Sequence, residues 1–187
     1  DDAGGINNTG NLTLTRVTVS DNSAAASGGG ILNSGDLTIN ASTIGGTNDP
    51  TDPLAPDLRN TSVRAGGGIR NLGTGVLVIN NSTIAGNVAT SGTAQGAGLY
   101  SIGTASLVNV TIAENEAGGA GGGLAVAGGT TVLRNTLIGD NNSVTTTSED
   151  VFETTNDGTL ILTSDMNSGN NLVENTAGAT VAFPAPP

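Results

Sequence analysis

The chain has no cysteine, no histidine and no tryptophan, and only three aromatic residues, Tyr100, Phe152 and Phe183. Without cysteine or histidine there is no disulfide framework, no thiolate or imidazole metal site and no triad of the Ser-His or Cys-His kind. Three aromatics cannot build a large aromatic core or an aromatic platform for sugars, so small aliphatic side chains must fill the interior. Lysine is missing too. Five arginines stand against sixteen acids, for a formal charge of −11, which disfavours nucleic acid and anionic membrane surfaces because both select for basic patches. No apolar run approaches the roughly 20 residues of a membrane span. The opening residues, Asp1-Asp2-Ala3-Gly4-Gly5, have neither the basic nor the apolar part of a secretion signal, so a mature form or an excised fragment is expected.

What the chain has in excess is glycine. Thirty glycines are more than twice the usual share of about 7%, and they come in clusters. The clusters end in an aliphatic residue each time: Gly4-Gly5-Ile6, Gly28-Gly29-Gly30-Ile31, Gly66-Gly67-Gly68-Ile69, Gly96-Ala97-Gly98-Leu99 and Gly121-Gly122-Gly123-Leu124. That residue advances by 25, 38, 30 and 25 positions. Two short runs follow each cluster, first Leu12-Thr13-Leu14 and Val17-Thr18-Val19, then their counterparts around Ile39 and Ile44, Ile79 and Ile84, Leu107 and Ile112, and Leu133 and Ile138. The last aliphatics of the two runs lie five residues apart in every repeat, so insertions are confined to other corners.

Each run alternates apolar and polar residues with period two, and no segment sustains the 3.6 period of a helix. Strands this short cannot bury an apolar face alone, so coils must stack strand on strand about 4.8 Å apart. The expected fold is all-β, a right-handed parallel β-helix or solenoid. It has five to six coils of roughly 25 residues and three short strands per coil. One domain covers residues 1–183, with an insertion at 47–65, a degenerate last coil at about 150–183, and a Pro-rich tail or linker at 184–187. Gly5, Gly30, Gly68, Gly98 and Gly123 are expected at corners, where positive φ or close backbone approach excludes a Cβ.

Stacking turns repeated positions into columns. Three residues beyond the second-run aliphatic stand Asn22, Thr47, Asn87, Asn115 and Asn141. The four asparagines are expected to form a ladder in which side-chain amides bond coil to coil and satisfy corner backbone groups. Thr18, Thr43, Thr83 and Thr111 form an outward column that fits the ordinary preference of exposed strand positions for threonine.

The pattern Gly-Gly-Gly-Ile, Leu-Thr-Ile, then Asn-Ser-Thr-Ile-Ala-Gly-Asn at residues 81–87 resembles the repeats of large bacterial surface proteins with right-handed β-helix regions. These include polymorphic outer-membrane-protein-like and adhesin-like proteins. Gly169-Asn170-Asn171-Leu172-Val173 is similar to their Gly-x-Asn-Leu closing motif. The chlamydial members carry Phe-x-x-Asn where this chain has Ile84-Ala85-Gly86-Asn87. The resemblance therefore implies architecture and an extracellular or cell-surface setting, not host adhesion.

Candidates for chemistry are few. The 47–65 insertion carries Asp49, Asp52, Asp57, Arg59 and Arg64 beside Pro50, Pro53 and Pro56. It is the place where a lyase-like site, or calcium as the one conceivable cofactor, would be built. Glu114 and Asp140 share a corner on adjacent coils, as paired glycosidase carboxylates would. Gly86 and Gly46 occupy the neighbouring positions, so no wider cluster of acids is expected around them. Glycine-rich segments here precede strands, not helices, and so do not cradle phosphates.

The expected function is a non-catalytic extracellular scaffold: a surface stalk, an adhesin segment or a head-to-tail fibre subunit. Its partners would be further coils, from its own chain or from other copies stacked end to end, and surface glycans. The alternative is a carbohydrate-binding or polysaccharide-degrading β-helix that uses the insertion. The first coil has no amphipathic cap and needs cover, whereas Phe183 is placed to plug the other end.

Overall fold

In a computed structural model of the chain, residues 3–46, 57–144, 149–153, 158–162, 171–174 and 181–182 are described. The period-two runs stack as four parallel sheets, and the described residues contain no helix. In the first coil the strands are Ile6–Asn8, Asn11–Thr15, Thr18–Val19 and Ser23–Ala24, one for each sheet. The next coil repeats the first three as Ile31–Asn33, Asp36–Asn40 and Thr43–Gly45, and its fourth strand, Thr61–Ser62, follows the insertion. The chain is a parallel β-solenoid of about five turns. The three expected strand columns are joined by a fourth, whose two-residue strands are too short to display a period.

Register is strict. Ile6 pairs with Ile31, Ile31 with Ile69, Ile69 with Leu99, Leu99 with Leu124, and Leu124 with Val151. In the second sheet Leu14, Ile39, Ile79, Leu107 and Leu133 form one row. In the third, Val19, Ile44, Ile84, Ile112 and Ile138 form another. These rows face one another across the interior, and from the second coil onward their members are fully buried.

The constant five-residue spacing has a local cause. Between the second and third strands of each coil stands one residue in the left-handed region: Arg16, Ala41, Asn81, Asn109 and Asn135, with φ of 55°, 48°, 50°, 55° and 50°. A single residue of this conformation turns the chain without altering its length, so the two strands stay in phase from coil to coil. Asparagine tolerates the conformation best among residues with a Cβ, which accounts for its presence in three of these five positions. The threonines two residues beyond it have an ordinary outward strand environment, Thr18 exposed and Thr43, Thr83 and Thr111 half exposed.

The described residues of the last coil contribute fewer strands than those of the earlier ones. Its strands Val151–Glu153, Gly158–Leu162 and Leu172–Val173 join the first three sheets, and the fourth sheet stops one coil earlier at Asn142–Ser143. Val181–Ala182 adds one further strand to the second sheet. Phe183 and the Pro184–Pro187 tail lie outside the described residues.

Candidate functional site

The interior carries an unbroken chain of side-chain amides. Asn22 Nδ2 donates to Asn60 Oδ1, Asn60 to Asn87, and Asn87 to Asn115, each at 2.9 Å. Asn115 donates to Asn141 at 2.9 Å, and Asn141 donates to Asp150 Oδ1 at 2.8 Å. The amides also donate to corner carbonyls, as Asn87 does to Ile44 and Ala85. Four anticipated members, Asn22, Asn87, Asn115 and Asn141, are thus in one line. Thr47 lies outside the described residues, and Asn60 holds that coil's place. Counting forward from Ile44 fails because the insertion intervenes, whereas counting eight residues back from Gly30, Gly68 and Gly123 finds Asn22, Asn60 and Asn115.

A second ladder escaped the sequence reading. Asn8 Nδ2 donates to Asn33 Oδ1 and Asn33 to Asn71 Oδ1, both at 2.8 Å, and Asn71 donates to Ser101 Oγ at 3.3 Å. Its signal was present: these residues stand two beyond Ile6, Ile31, Ile69 and Leu99.

The corner glycines are explained by the first ladder. A Cβ on Gly68 would lie 2.7 Å from the Gly98 carbonyl oxygen and 2.9 Å from the Asn87 amide, and Gly5, Gly30, Gly98 and Gly123 are confined in the same way. Close approach therefore selects glycine at the end of each cluster. At the start of the later clusters it is backbone conformation that does so, with φ of 67°, 63°, 58° and 63° at Gly28, Gly66, Gly96 and Gly121.

The ladder has a direction, and its two ends differ chemically. Every amide donates toward the C-terminal side, so the last member need only accept. Asp150 is that member: buried, it accepts from both the backbone N–H and the Nδ2 of Asn141 through Oδ1. A carboxyl group thus stands where the earlier coils carry an amide. At the other end, no described residue donates to the Asn22 amide oxygen. The first coil forms the edge of all four sheets, and its aliphatics Ile6, Leu12, Leu14 and Val17 are only partly buried, whereas Ile31, Leu37 and Ile39 beneath them are covered.

The acids gather differently from expectation. Glu114 and Asp140 do share a corner, both left-handed at φ 57°, with the Glu114 N–H donating to the Asp140 carbonyl at 3.1 Å. Asp140 also borders a cleft of about 430 Å³ with Glu149, Asp150 and Glu174, so acids do cluster on the C-terminal side. The degenerate coil brings Glu174 there, and its carboxylate accepts from the Asp140 N–H.

Of the insertion's acids, Asp49 and Asp52 lie outside the described residues. Asp57 is engaged: the Arg59 guanidinium donates to both its oxygens, at 2.9 and 2.8 Å. That hydrogen bond holds the Asp57 carboxyl below its ordinary range and raises Arg59 above its own. Among the described residues no three acids are grouped to hold a metal. The Asp57 contribution to stability is present above the ordinary carboxylate range and fades as pH falls through the lowered value. The pair is half exposed and screened by water, so Asp57→Asn should change unfolding free energy at pH 7 by no more than about 0.5 kcal/mol, measured by urea denaturation.

Arg64 reaches a different place. It lines a groove of about 350 Å³ with Arg70, Tyr100, Ser27, Ser91, Thr93 and Gln95. Arg70 and Tyr100 are opposed in the first sheet, and the Arg70 guanidinium sits over the tyrosine ring, 5.9 Å from its centroid. Among the described residues four buried side-chain polar atoms have no hydrogen-bond partner, and two of them, Ser27 Oγ and Arg70 Nε, belong to this groove. Neither Arg64 nor Arg70 forms an ion pair with a described residue. Comparison with protein-family models, curated proteins and solved structures finds no match to the chain.

Proposed function

We propose that the chain is a non-catalytic structural scaffold of the cell surface or exterior, a stalk or adhesin segment whose N-terminal face receives another coil. Its repeat motifs resemble those of bacterial surface proteins with β-helix regions, which supports that setting. The observation that carries the proposal is the asymmetry of the ladder. At one end the run of amides passes into the Asp150 carboxylate, and at the other the Asn22 end lies beside strand edges above half-covered Ile6, Leu12, Leu14 and Val17. Uncovered parallel edges over apolar residues are a pairing surface.

Further coils of its own chain or a second copy can supply that cover, and two copies can meet N-face to N-face. That contact is two-fold symmetric, uses the same patch on both copies, and closes on itself.

Sedimentation velocity across a concentration series is the test. The expected result is a reversible monomer–dimer equilibrium with no larger species, abolished in Leu14→Glu, whose retained β signal in circular dichroism shows that the coils remain. A chain that stays monomeric into the millimolar range, or that forms open-ended filaments, contradicts the proposal.

A further inference from the structure

The groove around Arg64 and Arg70 is set apart by charge. The chain carries −11 overall and has five arginines and no lysine, yet two of the five border one concavity. The 30-residue step between coils brings Tyr100 beside Arg70. Arg64 arrives from the far side of the insertion, its N–H bonded to the Ala26 carbonyl at 2.8 Å. Ser27 joins from the coil above, where Gly28 donates to the Ala65 carbonyl. Three successive coils thus build the groove: Arg70 and Tyr100 stand on strands of the first sheet, and Ser91 begins a turn tied to the coil before by its N–H bond to the Val63 carbonyl at 2.8 Å.

Its polar groups are in need of partners. Ser27 is 1% exposed, and both its Oγ and the Arg70 Nε are buried without a hydrogen bond. A buried, unsatisfied donor costs free energy that a bound acceptor recovers. The Tyr100 ring is occupied by Arg70, which is held by cation–π attraction, so the ring orients a guanidinium and is not an open stacking platform. Beside the two cations stand hydroxyls and an amide: Ser27, Ser91, Thr93 and Gln95.

We infer that this groove binds an acidic saccharide, its anionic group held by Arg64 and Arg70 and its ring hydroxyls by Ser27, Ser91, Thr93 and Gln95. Planar guanidinium forks suit a carboxylate or sulfate. A row of small hydroxyl and amide groups suits a hydroxyl-rich ring. The groove's apolar lining is limited to Val63, Ala65 and the aromatic ring already covered by Arg70, which leaves no pocket for the side chains of an acidic peptide. The volume lies near the lower end of ligand-site sizes, as fits a short saccharide unit. The inference is independent of the stacking face, which lies at the end of the coil stack.

The test is heteronuclear NMR titration of the whole chain with four probes: glucuronate, glucose 6-sulfate, glucose and triglutamate. The expected result is saturable shifts at Arg64, Arg70, Tyr100 and Gln95 with one or both acidic sugars at millimolar concentration, and none with glucose. The stronger of the two acidic sugars identifies the anionic group. Arg70→Gln and Arg64→Gln should each weaken binding about tenfold or more, and Arg70→Lys should also weaken it, because the charge remains while the fork is lost. Arg59→Gln, outside the groove, should leave binding unchanged. Unaltered thermal midpoints verify that the variants fold. The inference is overturned if neither acidic sugar shifts the groove, if both glutamine variants bind normally, or if triglutamate binds as tightly as the sugars.

Discussion

Asn87→Ala should lower the unfolding free energy by about 3 to 5 kcal/mol, among the larger losses that one side chain can cause. Asn87 is fully buried and stands mid-ladder. Its Oδ1 accepts from Asn60, and its Nδ2 donates to Asn115 and to the Ile44 and Ala85 carbonyls. Truncation leaves groups on three coils without partners, in an interior that water does not reach. Asn109→Ala removes an amide of the same chemistry from the exposed chain linking Asn81, Asn109 and Asn135, where water replaces the lost bonds, and should cost about 1 to 2 kcal/mol, most of it from placing alanine at a left-handed φ. Asn87→Asp should cost more than Asn87→Ala, because a buried carboxylate would face the same two carbonyl oxygens. The contrast also explains why an acid serves at position 150, where the ladder needs an acceptor alone. Urea denaturation measures all three, with the midpoint moving and the slope held. Equal losses at positions 87 and 109 would mean that the ladder does not hold the coils.

Gly98→Ala should cost about 3 kcal/mol or more. The added Cβ would stand 2.6 Å from the Gly123 carbonyl oxygen and 2.9 Å from the Asn115 Nδ2. The first is backbone of the next coil, which cannot yield without parting the sheets, and overpacking of this kind is costly even where side chains can adjust. Gly92→Ala supplies the control. Nothing lies within 4 Å of its Cβ position, so the change should be neutral within about 0.5 kcal/mol or stabilising by up to about 1 kcal/mol through the unfolded chain. In Gly98→Ala combined with Asn115→Ala the side-chain clash is gone and the backbone clash remains. The double variant should therefore lose less than the sum of the two singles by about 0.5 kcal/mol or more. Additive losses would separate the glycine corner from the ladder.

The parts of the fold that repeat at fixed spacing were legible. The clusters ending in Ile6, Ile31, Ile69, Leu99 and Leu124 lie in one sheet row, because identical coils can bury their aliphatics only in phase. The five-residue interval proved to be one left-handed residue per coil, which spacing records and residue type does not, since Arg16 and Ala41 occupy that column beside three asparagines. The fourth sheet was illegible for a different reason: Ser23–Ala24 and its counterparts are two residues long and are positioned by packing against the glycine backbone, not by any hydrophobic period. Asn60 was hidden by the insertion. The groove was hidden by topology, since Arg64 was visible only as part of the insertion and nothing in the residue order sets it beside Arg70 and Tyr100.

Residue-resolved amide hydrogen exchange at low and high protein concentration tests the one-ended stack most directly. Coil addition at the N-terminal face predicts that protection in the strand residues between Ile6 and Ala24 rises with concentration, while the strands Val151–Glu153 and Gly158–Leu162 keep the protection they have when dilute. Protection gained in those last strands, or gained nowhere, would contradict it.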